Sequence, residues 1–117
     1  MKFFLFFTLT LVFFSCEEIL LENDISQEPV ILLSPSNGVI VQSESINFNW
    51  ESLEGATSYQ LQVAFPNFEN SQRIELDTTT TNLQFTKRLI DSVYQWRVRG
   101  INSAYQSIYS TSSFTIE

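Results

Sequence analysis

The sequence predicts an all-β domain, because short apolar runs alternate with polar residues at a period of two and no stretch shows a helical period. Ile46, Phe48 and Trp50, for example, alternate with two asparagines. Turn-forming residues separate these runs, as in the Ser-Pro-Ser-Asn-Gly segment at residues 34–38. Seven such runs spaced by roughly ten residues are typical of a seven-stranded antiparallel β-sandwich.

The predicted strands follow one another through residues 29–117. They lie at residues 30–33, 46–50, 59–63, 74–76, 83–85, 94–98 and 114–116. In an antiparallel sandwich the loops alternate between two ends. We expect the loops after the second, fourth and sixth strands, at residues 51–56, 77–81 and 102–107, to lie where the chain enters. The other loops and the C-terminus lie at the opposite, distal end.

A signal segment precedes this domain. Lys2 is followed by the uncharged, Phe-rich residues 3–14, then by Ser15 and by Cys16, which is the chain's single cysteine. Twelve helical residues span roughly 18 Å, whereas a bilayer core needs about 20 residues. Residues 1–15 are therefore predicted to be a cleaved secretory signal peptide. An ordinary signal peptide that is cut elsewhere would leave Cys16 a bystander.

The segment Val-Phe-Phe-Ser-Cys at residues 12–16 resembles the lipobox of bacterial lipoproteins, in a loose, Phe-rich form similar to that of the Bacteroidetes. The resemblance implies cleavage before Cys16 and attachment of acyl chains, such as palmitate, to this residue. Glu17 and Glu18 resemble the signal that exports such lipoproteins to the outer face of the outer membrane. A solvated acidic linker and retention on the periplasmic face are the alternatives.

Composition narrows the function classes. Removal of Lys2 with the signal leaves five basic and thirteen acidic side chains, a net charge of −8, and no basic stripe that would bind nucleic acid. The chain has no histidine, so the commonest general base and metal ligand is absent. Although a carboxylate pair could still act in catalysis, the pattern places none in a cleft. We predict no enzymatic activity, no cofactor and no metal site.

Residues 16–28 contain Cys16 and then a mainly acidic segment without aromatics or a period. The lipobox resemblance implies that the cysteine is lipidated, and the composition of the acidic segment predicts a flexible tether. Residues 29–117 form the predicted domain, which is long enough to bury a core. A lone cysteine also argues against a disulfide-stabilised secreted domain.

The order of large core residues in 29–117 resembles that of fibronectin type III domains, within the wider immunoglobulin-like class. The similarity is carried by the segments Phe-Asn-Trp at 48–50 and Tyr-Gln-Trp-Arg-Val-Arg at 94–99. It implies that Trp50 fills the core between the sheets and that the Tyr94 hydroxyl bonds to backbone upstream. The family's leucine six residues before that tyrosine is replaced by Arg88, with Leu89 one place later.

Aromatic residues in the predicted loops are candidates for ligand binding. Phe65 and Phe68 flank Pro66 in the distal loop after the third strand, and Tyr105 and Tyr109 follow the sixth strand. Exposed aromatics often mark recognition surfaces, and tyrosine offers both contact area and a hydrogen-bonding tip. Packing of these side chains into the core or against the last strand is the alternative.

A second candidate surface is the outer face of the larger sheet. If the third and sixth strands pair, Arg97 and Arg99 share this face with Gln60, Gln62 and Gln95. Such planar polar side chains could bind a polysaccharide or a protein partner. A solvated face with cross-strand pairing to acidic residues is the alternative.

Two short segments, Asp-Thr-Thr at 77–79 and Asp-Ser-Val at 91–93, resemble the acceptor motif of Bacteroidetes O-glycosylation. The resemblance implies Thr78 and Ser92 as modification sites at predicted turns. Ordinary turn chemistry accounts for the same residues, because Asp and Thr both favour turns.

Together these features predict a lipid-anchored surface lipoprotein that displays one binding or adhesion module for a glycan or an envelope protein. The protein is predicted to associate with the membrane through its N-terminal lipid. The alternative is a structural accessory subunit or spacer of an outer-membrane complex.

Overall fold

The computed structural model describes residues 22–117, so the predicted signal peptide (1–15), Cys16 and the segment to residue 21 lie outside the described residues. The described chain is all β and forms eight strands. They are β1 (Leu32–Ser34), β2 (Val39–Val41), β3 (Ser45–Trp50), β4 (Ser58–Phe65), β5 (Arg73–Thr80), β6 (Gln84–Arg88), β7 (Ser92–Ile101) and β8 (Ser110–Ile116). No helix in this part of the chain is long and apolar enough to cross a membrane.

The strands form two sheets that enclose one core. The smaller sheet has the order β1-β3-β6, and the larger sheet has the order β2-β8-β7-β4-β5. This arrangement confirms the predicted sandwich. The pairing on which the predicted polar outer face depends is present, because β4 and β7, the third and sixth predicted strands, are antiparallel neighbours with Leu61 opposite Val98.

The core consists of the inward-facing half of each alternating strand. Its largest fully buried side chains are Trp50, Trp96, Tyr94, Phe48 and Phe114. Phe48 of the smaller sheet contacts Trp96 of the larger sheet, with ring centroids 5.1 Å apart. Trp50 is 1% exposed, which confirms its predicted position between the sheets.

The predicted role of Tyr94 is also confirmed. Its hydroxyl donates a hydrogen bond of 2.7 Å to the backbone carbonyl of Ile90. Burial raises the pKa of this hydroxyl above its ordinary value of 10.0, so it remains a protonated donor at neutral pH. Leu89 is buried in the core whereas Arg88 is exposed, so the leucine one place later fills the apolar position.

The eighth strand was not predicted from the sequence. At the turn-forming residues 34–38 the chain does not reverse within one sheet but crosses from the smaller to the larger sheet. Val39–Val41 then pairs in parallel with β8, with Ile40 opposite Thr115. A three-residue apolar run is too short to show alternation, so the sequence pattern does not predict β2. Because β2 pairs in parallel with β8, the sandwich is not wholly antiparallel.

The loop predicted at residues 77–81 is wrong. Strand β5 continues to Thr80, and the connection to β6 is residues 81–83. Threonine is β-branched and favours strands, so the threonine run extends β5 rather than ending it. The predicted fifth strand shifts accordingly, since Leu83 precedes β6 and is 40% exposed.

The start of the described chain packs against the domain, which differs from the flexible tether predicted for residues 16–28. Ile25 is 1% exposed. The buried Asn102 donates its side-chain amide to the carbonyls of Asn23, at 2.9 Å, and Gly55, at 3.0 Å. Ser103 donates to the carboxylate of Glu22 at 2.7 Å. Residues 22–30 are therefore part of the folded unit, at the end of the sandwich predicted for the chain's entry.

Gly55 makes this docking possible. Its φ of +90° is a conformation that side chains disfavour, and an added Cβ would lie 2.8 Å from Asn23 Cβ and 3.1 Å from Ile25 Cγ2. The loop between β3 and β4 can therefore approach the docked segment only with glycine at this position.

We expect Ile25→Ala to lower the free energy of unfolding by about 2 kcal/mol, because it removes buried methyl groups at a site that can relax only in part. Urea denaturation of the full chain measures this change. Ile31→Ala is the matched control, since Ile31 is 57% exposed and its truncation should have little effect. Equal effects of the two substitutions would contradict the docking of this segment.

Candidate functional site

Polar side chains of β4, β5 and β7 meet on the outer face of the larger sheet. The strand register places Gln60 opposite Arg99 and Gln62 opposite Arg97. On the other side of β4, Asp77 of β5 lies opposite Gln62. Because side chains alternate between the faces of a strand, these five residues all lie on the face away from the core.

Hydrogen bonds link these side chains across three strands. Arg97 Nε donates to Gln62 Oε1, and Arg99 Nε donates to Gln60 Oε1, each at 2.8 Å. The two glutamine amides then donate to the two carboxylate oxygens of Asp77, at 2.9 Å from Gln60 and 3.0 Å from Gln62. Each guanidinium is thus connected to the Asp77 carboxylate through an intervening amide.

Two aromatic rings lie against the arginines. The guanidinium carbon of Arg97 lies 4.0 Å from the ring centroid of Phe68 and 4.1 Å from that of Tyr109. The guanidinium carbon of Arg99 lies 4.6 Å from the same Tyr109 centroid. Such cation–π contacts contribute about 0.5–1 kcal/mol each at exposed sites. We refer to Gln60, Gln62, Phe68, Asp77, Arg97, Arg99 and Tyr109 as the arginine–aromatic face.

The loops that carry the rings are themselves held in place. The backbone amide of Phe68 donates to Gln95 Oε1 at 3.0 Å, which folds the loop after β4 onto the sheet. Asn67 accepts from the amide of Asn70 at 2.7 Å within that loop. The hydroxyl of Tyr109, directly before β8, donates to Gln60 Oε1 at 3.1 Å. One ring comes from the distal end of the domain and the other from the opposite end.

Charge on this face is unevenly compensated. Hydrogen bonds from Gln60 and Gln62, and then the positive arginines, hold the pKa of Asp77 below its ordinary value of 3.8, so its carboxylate is ionised at neutral pH. Within residues 22–117, ion pairs join Arg73 to Glu75 and Arg88 to Glu44, whereas neither arginine of the face has a carboxylate oxygen within 4.0 Å.

The structure brings together four of the six predicted ligand-binding residues: Phe68, Arg97, Arg99 and Tyr109. Phe65 lies apart from them, because its ring packs edge-on against Tyr94, with centroids 6.1 Å apart, at the margin of the core. Tyr105 is 37% exposed in the loop after β7, where its backbone amide donates to Asn102 Oδ1 at 2.7 Å. For Phe65 the structure agrees with the alternative of core packing.

The two predicted glycosylation residues occupy different settings. Thr78 lies inside β5 opposite the buried Leu61 and is half-buried, so it is not at a turn. Ser92 is the first residue of β7 and is half-buried. Asp77, the first residue of the Asp-Thr-Thr motif, accepts hydrogen bonds from the side-chain amides of Gln60 and Gln62.

Sequence reasoning missed Asp77 as a member of the face, since residues 77–81 were interpreted as a loop. Alternation in β5 was the available signal: Leu76 and Thr78 face inward, so the residue between them must face outward beside the glutamines of β4. Among the described residues no group of three or more metal-ligating side chains converges.

Comparison with known proteins supports the fold alone. The sequence matches no protein-family model and no curated protein. The structure superposes on that of FN3tt with a TM-score of 0.55 at 14% identity, covering 75% of this chain and 95% of that one. On the FN1–FN3 domains of chicken CNTN1 the TM-score is 0.57 at 15% identity, covering 80% of this chain and 35% of that one. The chain therefore has a fibronectin type III-like fold.

We expect Asp77→Asn to change the acid sensitivity of the fold. Because the pKa of Asp77 is lower in the folded than in the unfolded state, its stabilising contribution is present above pH 3.8 and is lost as the pH falls below that value. The difference in unfolding free energy between the natural chain and the variant should therefore shrink from pH 7 to pH 3.

Urea denaturation at pH 7, 4 and 3 measures this difference. Asp91→Asn is the matched control, since Asp91 is exposed and its carboxylate accepts no side-chain hydrogen bond within the described chain. A difference that stays constant over this pH range would contradict the assigned role of Asp77.

Proposed function

We propose that this fibronectin type III-like chain is a lipid-anchored protein of the outer membrane whose domain acts as a binding module at the cell surface. The arginine–aromatic face is the observation that carries the proposal. It combines two guanidinium groups without ion pairs, two aromatic rings and two amides on one side of a rigid sheet. A glycan or an envelope protein is the proposed partner, and no catalytic activity is assigned.

The proposed anchor is Cys16, acylated after removal of residues 1–15, with Glu17 and Glu18 directing the protein to the outer leaflet. Because Glu22 already bonds to the domain, only residues 17–21 separate it from Cys16. Six fully extended peptide steps reach about 20 Å, so the domain stands close to the membrane. The docked segment also limits how freely the domain can tilt.

Binding through the side of the sandwich is compatible with this geometry. The arginine–aromatic face lies on the outer side of the larger sheet, so an anchored domain can present it laterally to surface polymers or neighbouring proteins. Arg97 and Arg99 are the sixth and eighth of the ten residues of β7, which places them in the half of the strand nearer the entry end.

A scaffold function is the second candidate, and a different surface favours it. Ile40 is 59% exposed and Val93 49% exposed, and both lie opposite Thr115 on the outer face of the larger sheet. Ile90, in the adjacent distal turn, is 68% exposed. Clustered exposed aliphatic side chains mark protein–protein contacts, so this distal patch could attach the domain to an outer-membrane complex.

Capture from intact cells tests the binding module. The protein is cross-linked on living cells and purified, and the retained polysaccharide and protein are compared between variants. We expect Arg97→Gln/Arg99→Gln to lose the retained partner. Arg73→Gln/Arg88→Gln is the control, because it makes the same change in net charge elsewhere on the domain.

The same capture separates the two candidate functions. If Ile40→Thr/Val93→Thr loses a stoichiometric protein partner and the arginine variant does not, the result would favour the scaffold function over the binding module. Unchanged retention in both variants would contradict both surfaces.

Mass spectrometry of the protein from its native cells tests the anchor. We expect a mature N-terminus at Cys16 that carries acyl chains, with protease treatment of intact cells removing the domain. The Cys16→Ala variant should appear unacylated and outside the membrane fraction. An acylated protein that resists protease on intact cells but not on lysed cells would place it on the periplasmic face instead. Any glycan on Thr78 or Ser92 would be detected in the same spectra.

A further inference from the structure

Two guanidinium groups without a direct carboxylate partner within residues 22–117 stand out in a chain with a formal net charge of −7. Arg73 and Arg88 have carboxylate partners, but Arg97 and Arg99 bond within the described chain only to neutral glutamine oxygens. Both of these bonds use Nε. The terminal Nη groups of the two arginines, which form the bidentate fork of a guanidinium, have no protein acceptor within residues 22–117.

The two forks are held in fixed positions before any ligand arrives. Each Nε is bonded to a glutamine on the neighbouring strand, and Phe68 and Tyr109 lie against the guanidinium groups. The glutamines are in turn bonded to Asp77. Because these side chains are already ordered, binding costs less conformational entropy than it would for free surface arginines.

The spacing of the forks suits a repeating anion. Arg97 and Arg99 are two residues apart on one strand, so their Cα atoms are separated by about 6–7 Å and their side chains leave the same face. Both guanidinium carbons lie within 5 Å of the Tyr109 ring centroid, at 4.1 Å and 4.6 Å. A polymer that carries an anionic group on successive units could engage both forks at once.

The surroundings favour a polysaccharide over an acidic protein. The two cross-strand rows that contain the arginines otherwise hold amides, hydroxyls and one carboxylate, with no exposed aliphatic side chain. Protein interfaces depend on a desolvated apolar centre, which these rows lack. Planar amides and aromatic rings beside a charged fork suit sugar hydroxyls and their acidic substituents. The exposed aliphatic side chains nearest to them lie outside these two rows: Ile74 is opposite Ala64 in the adjacent row, and Ile40, Ile90 and Val93 lie at the distal end.

We infer that Arg97 and Arg99 bind the anionic groups, carboxylate or sulfate, of an acidic polysaccharide. This inference rests on the proposed function and names the ligand class of the same face. Asp77 opposes it electrostatically, since its carboxylate lies on the same face and is ionised at neutral pH. More distant carboxylates have little influence at physiological salt, where the screening length is about 8 Å.

Binding of the purified full-length chain to immobilised polymers tests the inference. Polygalacturonate supplies carboxylates, dextran sulfate supplies sulfates, dextran is the neutral control and poly-L-glutamate represents an acidic polypeptide. We expect binding to at least one charged polysaccharide, none to dextran, and a decrease in affinity as salt is raised. Preference for polygalacturonate or for dextran sulfate identifies the anionic group.

Matched variants locate the binding. Arg97→Gln/Arg99→Gln should weaken it by about ten-fold or more, because two charge-assisted forks are lost. Arg73→Gln/Arg88→Gln, with the same net charge, should stay within about two-fold, as expected for distant exposed charges. Binding by the natural chain should weaken as salt is raised, and Arg97→Gln/Arg99→Gln should lose most of this salt dependence, which a purely structural role of the arginines would not produce. Thermal unfolding of each variant confirms that it is folded.

Three results would overturn the inference: no binding to either charged polysaccharide, equal losses in the two arginine pairs, or tighter binding to poly-L-glutamate than to both polysaccharides. The proposed function is judged separately by capture from intact cells. If capture still depends on Arg97 and Arg99 while both polysaccharides fail to bind, the binding module stands and the assigned ligand class is wrong.

Discussion

The antiparallel register between β4 and β7 is the constraint on which the rest of the structure depends. On the inner face it sets Leu61 opposite Val98 and Val63 opposite Trp96, all without measurable exposure. On the outer face the same register sets Gln60 beside Arg99 and Gln62 beside Arg97. A shift by one residue would bring the arginines into the core, where an uncompensated charge is very costly. The hydrophobic core therefore specifies the geometry of the candidate site.

Elements on both sides of the β4–β7 pair contribute the remaining residues of the arginine–aromatic face. Strand β5 contributes Asp77 on one side, and the segment before β8 contributes Tyr109 on the other. The loop after β4 folds Phe68 back over the sheet, fixed by Gln95. The face is thus assembled from residues far apart in sequence but adjacent in the sheet. Because its bonds are cross-strand, its shape depends on the integrity of the whole larger sheet.

Docking of residues 22–30 gives the anchored protein a different form from a domain on a free tether. Ile25 is buried, and Asn102 bonds to both the docked segment and the loop that contains Gly55. In the proposed lipoprotein, this shortens the distance between membrane and domain and limits the orientations of the arginine–aromatic face. The distal aliphatic patch lies on the same side of the larger sheet but farther from that attachment, so the two candidate surfaces stand at different heights above the membrane.

The sequence by itself determined the all-β sandwich, the core positions of Trp50 and Tyr94, and the outward orientation of the glutamines and arginines, whereas the pairing of their strands was decided by the tertiary structure. Period-two alternation and large aromatic residues can be recognised within a single strand. They predict which of its side chains are buried without information about the neighbouring strands. Tertiary structure decided the crossing to β2, the extension of β5, the burial of Ile25 and the contacts of Phe68 and Tyr109. These depend on which segments meet in space, and neither a three-residue strand nor a loop aromatic carries a periodic pattern that reveals its neighbour.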